Sequence, residues 1–188
     1  MYTLFIDSHS SNICLALYNG EVLIKKEKES IESHSIFLVP MLKELLDENN
    51  ISFDEIANVV AVNGPGSFTG IRIGLSVAKA ICYSLKKPIY LISSLTSLLV
   101  SVDSDTCKMA VIPDNKGFYV SVFDENNNSV VDERYQENID EFLAKYKIVD
   151  GVLNVEKVIK YALKQDPVNV FKVKANYVKV IEVMDDKK

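Results

Sequence analysis

Four glycines lie within eleven residues of a chain that has only seven glycines in 188 positions. They are Gly64, Gly66, Gly70 and Gly74, and they stand between a buried apolar run and a helical pattern. Glycines before a helix can expose backbone N–H groups that hold a phosphate. Small residues at every fourth position can instead let another backbone pack closely on one helix face. The spacing matches neither a Walker motif nor a dinucleotide-binding fingerprint, and it favours the close-packing, structural role.

Two aspartates, Asp7 and Asp114, each follow an apolar strand pattern. A carboxylate at such a place can meet a phosphate or a metal-bound water across a cleft between two lobes. Each can equally begin a turn as a hydrogen-bond acceptor. With Ser8, they are the candidate nucleotide-binding residues. On this interpretation the chain is a small phosphotransferase or ATPase that depends on magnesium and a nucleotide.

Several other chemistries are not expected. His9 and His34, the two histidines, lack the spacing of zinc ligands. Ser67 stands one position too early for the GxSxG elbow of hydrolases and has no evident base or orienting acid, so peptidase chemistry is not predicted.

The three cysteines are far apart, which indicates reduced thiols inside a cell. A net charge of −5 disfavours unaided binding of nucleic acid.

The same order of strand and helix patterns occurs in both halves of the chain. This order predicts a duplicated α/β lobe, with lobes at residues 1–102 and 103–188, rather than one Rossmann sheet. Asn19-Gly20 predicts a two-residue hairpin turn. We expect strands at 2–6, 13–18, 21–28, 59–62, 88–92, 108–113, 118–123, 130–135, 147–149 and 169–172, and helices at 33–49, 67–85, 93–102, 138–146 and 154–164.

The two long helices predicted at 33–49 and 67–85 are apolar on nearly all sides. Such a helix must be buried on two sides. In a chain of this size, that requires either a fully covered core or an interface with another protein. The sequence does not decide between the two.

Several motifs together resemble the TsaB (YeaZ) family. They are an LFID strand, Ser33-His34-Ser35 at a helix start, the run GPGSFTGIRIG and the run IPDNKGFYVSVF. The resemblance covers residues 1 to about 125. It implies the duplicated fold of the actin-like, Hsp70-like and sugar-kinase (ASKHA) superfamily, which is RNase H-like, with a mixed sheet and helices in each lobe and a reduced second lobe.

The resemblance implies an accessory, non-catalytic role in the threonylcarbamoyl modification of tRNA. TsaB pairs with the catalytic subunit TsaD, TsaE docks on that pair, and the same surface can form a homodimer when TsaB is alone. The resemblance also implies that the protein meets tRNA only through the complex. It implies a cytoplasmic location and no association with a membrane. The two long helices carry the implied interface residues, which are His34, Phe37, Leu38, Met41, Arg72, Ile73, Ser76 and Lys79.

Two departures from the family bear on cofactors. Ser8-His9-Ser10 lacks the glycine that nucleotide-binding relatives carry after the first aspartate. Asn115-Lys116 follows Asp114, at a place where family members usually have an arginine after the aspartate. We therefore expect no cofactor of the chain's own, and place any ATP or ADP with magnesium at an interface of the complex.

Overall fold

The first half of the chain forms a five-stranded mixed sheet. The structure, a computed structural model, describes residues 1–29, 34–149 and 153–178. The strands of this sheet are β1 (Tyr2–Asp7), β2 (Asn12–Tyr18), β3 (Leu23–Glu29), β4 (Ile56–Val62) and β5 (Ile89–Ile92). Their order is β3-β2-β1-β4-β5, with β1 antiparallel to β2 and parallel to β4.

A second sheet repeats this arrangement. Its strands are β6 (Lys108–Asp114), β7 (Gly117–Phe123), β8 (Ser129–Gln136) and β9 (Lys147–Ile148). Their order, β8-β7-β6-β9, and their directions match β3-β2-β1-β4 of the first sheet. The predicted duplicated α/β fold is confirmed, and the second sheet is the smaller one.

Helices cover both faces of the first sheet. Because successive strand residues point to opposite faces, Leu4 and Ile6 lie in one apolar cluster and Phe5 in another. The first cluster is covered by α1 (His34–Glu48) and α2 (Phe68–Leu85), and the second by α3 (Ser94–Ser101) and α5 (Val155–Ala162). The predicted start of α1 at Ser33 lies outside the described residues.

Side-chain caps explain where three of these helices begin. Ser67, Ser93 and Asn154 each stand before the first helical residue and accept a hydrogen bond from the backbone N–H three residues on. Such a cap satisfies an N–H group that the helix itself leaves unpaired. These three helix starts are therefore set by local sequence.

Within the described residues, no helix is long and apolar enough to cross a membrane.

Three local predictions need correction. The segment at 169–172 is not a strand, because the Asn169 side chain accepts from the Phe171 N–H and starts a 3-10 helix at Val170–Lys172. The helix predicted at 138–146 is only α4, Asp140–Leu143, and it buries no residue of its own. The hairpin loop has four residues, since the Asn19 carboxamide accepts from the N–H groups of both Glu21 and Val22.

The last described segment returns to the first sheet. Val168 N–H donates to the Ile89 carbonyl at 2.8 Å, at the free edge of β5. Val173 is buried in the cluster beneath α1 and α2. The second half of the chain thus contributes to the core of the first sheet, and the lobe boundary at 102/103 stays a prediction.

Neighbouring residues of α1 should respond differently to truncation. Leu38 is fully buried whereas Val39 is 54% exposed. We expect Leu38→Ala to lower the free energy of unfolding by about 2–5 kcal/mol, because it leaves a cavity. Val39→Ala should change it by less than about 0.5 kcal/mol. Urea denaturation measures both, and similar losses in the two variants would contradict this arrangement of α1.

Candidate functional site

Gly70 and Gly74 form a glycine stripe on one side of α2, and this stripe packs against the turn between β1 and β2. Ser8 Oγ donates a hydrogen bond to the Gly70 carbonyl at 2.8 Å. A Cβ atom added at Gly70 would collide with the Ser8 carbonyl, and one added at Gly74 would collide with the Ser8 hydroxyl. The backbone that approaches the stripe is the chain's own turn. This is the close approach that the four-residue spacing favours.

The loop before α2 needs glycine for a second reason. Gly64 and Gly66 have φ angles of +104° and +149°, a region that L side chains rarely adopt. A Cβ at Gly66 would also collide with the His9 carbonyl, which accepts a hydrogen bond from the Ser67 N–H at 2.6 Å. The loop is thereby fixed to the β1–β2 turn.

Asp7 is paired with His9 of the same turn. Its Oδ1 atom lies 2.6 Å from His9 Nδ1 and accepts the His9 backbone N–H at 3.0 Å. Burial disfavours the charged imidazole, but the charge of Asp7 and its hydrogen bond outweigh this and raise the pKa of His9. Asp7 as a whole is only 4% exposed. Asp7 is a predicted nucleotide-binding residue, but its carboxylate is already engaged in an ion pair with His9.

Asp114 lies instead on a cleft between the two lobes. This cleft has a volume of about 420 Å³ and is lined by Phe68, Tyr119 and Tyr177 as well as by Asp114 and Lys116. A neighbouring recess of the same cleft is lined by His9 and Asp114, but not by Asp7 or Ser8. The structure thus brings Asp114 to the cleft and places Asp7 and Ser8 beneath it. The aromatic side chains of the cleft were not predicted, because no local pattern in the sequence brings Phe68, Tyr119 and Tyr177 together.

A polar cluster around Glu133 links three distant segments. The Glu133 carboxylate on β8 accepts hydrogen bonds from the hydroxyls of Ser93 and Thr96 at the start of α3. It also accepts from Asn176 Nδ2 at 2.7 Å. This cluster was not predicted, because its other members lie 37 to 43 positions from Glu133 and no local sequence pattern connects them to it.

Two of the three cysteines are buried. Burial raises the pKa of the Cys82 thiol to about 12 and also raises that of Cys14, so both resist forming the reactive thiolate. No group of three or more His, Cys, Asp or Glu side chains in the described part of the chain could hold a metal ion.

Three of the predicted interface residues do not reach the surface. Leu38 is fully buried and Met41 is 4% exposed, both in the core beneath α1. His34 is also buried, and its Nε2 atom donates to the Ser10 carbonyl at 2.8 Å. The chain itself covers these three side chains, and their part in an interface stays a prediction. The exposed apolar residues of α1 are Ile36 and Val39, at 59% and 54%.

The other predicted interface residues are at least partly accessible. Ile73 and Phe37 are half-buried, and Lys28 Nζ lies 3.6 Å from the centre of the Phe37 ring. Ser76 is exposed and Lys79 is half-buried on α2. Their part in an interface stays a prediction.

Arg72 is held at the border between α2 and the cleft. Its guanidinium stacks 3.7 Å from the centre of the Phe68 ring, and its Nε donates to Tyr177 Oη at 3.1 Å. The centres of the Phe68 and Tyr177 rings are 5.1 Å apart. Arg72 is exposed, so the stack presents a preformed surface.

A family model described as TsaD: tRNA N6-adenosine threonylcarbamoyltransferase matches residues 23–183 of the chain. The chain belongs to this family. Among curated relatives, the tRNA threonylcarbamoyladenosine biosynthesis protein TsaB of Buchnera aphidicola is 28% identical over 183 residues, which cover 93% of this chain and 81% of the relative. TsaB of Bacillus subtilis is 32% identical over 99 residues, 52% of this chain and 43% of that protein. The predicted resemblance to TsaB is confirmed.

The fold agrees with this membership of the TsaD family. The structure of YeaZ from Pseudomonas aeruginosa matches with a TM-score of 0.78 at 16% identity, over 94% of this chain and 99% of that chain. At this identity the likeness shows the fold alone. That fold is the mixed, duplicated α/β architecture which the motifs implied.

The packing of the stripe predicts that Gly70→Ala destabilises the protein. Helix propensity alone would favour alanine by about 1 kcal/mol. The collision with the Ser8 carbonyl should exceed this gain and lower the free energy of unfolding by about 1–3 kcal/mol. Ser76→Ala, at an exposed position of the same helix, is the matched control and should change it by less than about 0.5 kcal/mol. A stabilising Gly70→Ala in urea denaturation would contradict the close approach.

The Asp7–His9 pair predicts a pH-dependent contribution to stability. Because the pKa of His9 is raised in the folded protein, the contribution is complete below the ordinary value of about 6.5 and is lost as the pH rises through the folded value. We expect the stability advantage of the native chain over Asp7→Asn to shrink from pH 6 to pH 9 in urea denaturation. NMR titration should show a lower His9 pKa in Asp7→Asn, and an unchanged value would refute the pairing.

Proposed function

We propose that this chain acts in the cytoplasm in forming threonylcarbamoyladenosine on tRNA, as a non-catalytic subunit that binds and activates TsaD. The names of the TsaB relatives support the pathway. Membership of the TsaD family supports a partner of similar fold.

The observation that carries this proposal is the outer face of α1 and α2. The two helices pack side by side on the face of the first sheet opposite α3 and α5. Ile36 and Val39 on α1 are more than half exposed, and Ile73 and Val77 on α2 are half-buried. Apolar surface that stays accessible on two neighbouring helices is typical of a protein interface. A helix pair from TsaD would complete a four-helix interface.

Three side chains that could perform chemistry already have structural roles, which supports a non-catalytic subunit. Asp7 is bonded to His9, Ser8 to Gly70, and the Ser67 hydroxyl caps α2. Of the two carboxylates expected to approach a metal, Asp114 lines the cleft but Asp7 is paired with His9 beneath it, so the cleft does not fit a magnesium–nucleotide site of the chain's own. We therefore assign any ATP or ADP with magnesium to an interface of the complex.

Further partners follow from the same surface. A second copy of this chain can occupy the α1–α2 face when TsaD is absent, which gives a homodimer. TsaE docks on the pair formed with TsaD, and tRNA is met within that complex.

A charge introduced on the outer face tests the proposal. Ile36→Glu places a carboxylate near the start of α1, where the helix dipole tolerates it, so the fold should survive. Burying that charge against TsaD should weaken binding by at least about 2 kcal/mol, roughly 30-fold, in calorimetric titration with the cognate TsaD. Val130→Glu is the matched control, at an apolar residue on β8 that is 47% exposed. Failure of the native chain to bind TsaD, or equal affinity of Ile36→Glu, would reject the proposal.

A further inference from the structure

A groove lies at the C-terminal end of α2, away from the cleft between the lobes. It has a volume of about 530 Å³ and lies between the end of α2 and the returning segment at 168–171. Tyr83 and Phe171 form its aromatic part, 64% and 75% exposed, with ring centres 5.7 Å apart in an edge-to-face arrangement. Lys86 and Lys87 line it as well. We refer to it as the α2-end groove.

The surroundings of the α2-end groove are basic although the chain is acidic. The net charge is −5, yet residues 56–102 contain no Asp or Glu. None of the described residues that line the groove is acidic. Lys172 and Lys174 follow Phe171 and are exposed. Within the described ranges, none of the four lysines named here forms an ion pair with a carboxylate.

We propose that the α2-end groove binds a single-stranded segment of the tRNA on which the complex acts. Phe171 offers a nearly uncovered ring, and unpaired bases stack on such rings whatever their identity. Lysines that form no ion pair with a carboxylate of the described residues can neutralise the adjacent phosphates. An acidic peptide would use the lysines but would leave the exposed rings unexplained, so the observations favour RNA. This inference rests on the proposed function.

The position of the groove fits that role. Tyr83 lies seven residues after Ser76, about two helical turns along α2. The groove therefore continues from the face proposed to bind TsaD, and RNA held there lies beside the catalytic subunit. The chain then adds a contact to tRNA within the complex, without needing to hold tRNA alone.

The test measures tRNA affinity of the complex with TsaD at several salt concentrations. Lys86→Asn combined with Lys172→Gln removes two charges, and asparagine accepts the left-handed backbone of Lys86. We expect the slope of log affinity against log salt to fall in magnitude by about 1.5, at roughly 0.7–0.9 per phosphate. Lys145→Gln combined with Lys147→Gln, at two exposed lysines of the second lobe, is the matched control and should leave the slope unchanged.

Substitution of Phe171 separates stacking from simple apolar contact. Phe171→Leu keeps an apolar side chain but removes the ring, and should weaken tRNA binding roughly 5- to 100-fold. Phe171→Tyr keeps the ring and should preserve the affinity. Equal affinity of the leucine and tyrosine variants would overturn the stacking contact.

Binding to TsaD is measured for every variant, which separates this inference from the proposed function. Unchanged tRNA affinity and salt slope in an intact complex would overturn the inference alone. A loss of TsaD affinity in the groove variants would overturn it too, because the groove would then be a protein interface. If the native chain binds no TsaD, the proposed function fails, and the inference falls with it because it places the tRNA contact within that complex.

Discussion

The close contact between α2 and the β1–β2 turn sets how the helices of the first sheet are oriented. Gly66, Gly70 and Gly74 have no Cβ, so the helix can lie directly on the backbone of Ser8 and His9. This contact fixes which side of α2 faces inward. The opposite side, with Ser76 and Tyr83, is consequently left to solvent or to a partner.

The same contact keeps two of the predicted nucleotide-binding residues away from the surface. Asp7 and Ser8 are buried and bonded within the chain. Among the described residues, the accessible features include the outer face of α1 and α2, the cleft lined by Phe68, Tyr119 and Tyr177, and the α2-end groove.

Local sequence signals predicted most elements, because their causes are local. Ser67 caps α2, and alternating apolar residues mark β1 and β2, so these elements were predicted to within a residue or two. Segment 169–172 was predicted wrongly, because a turn begun by the Asn169 side chain outweighs its apolar composition. The helix at 138–146 was overestimated, since only α4 forms and it buries none of its residues.

Periodicity and spacing are enough to predict the duplicated order of elements, a structural role for the glycines of α2 and the two unusually apolar helices. Which side of each helix is accessible depends on how the helices pack in the folded chain. In α1 apolar residues occur all round, so periodicity could not separate buried Leu38 and Met41 from exposed Ile36 and Val39. That choice is made by the sheet on which the helix packs, and the contacts that fix it join residues far apart in the chain. The pairing of Tyr83 with Phe171 arises in the same way, because it requires the chain end to return to the edge of the first sheet.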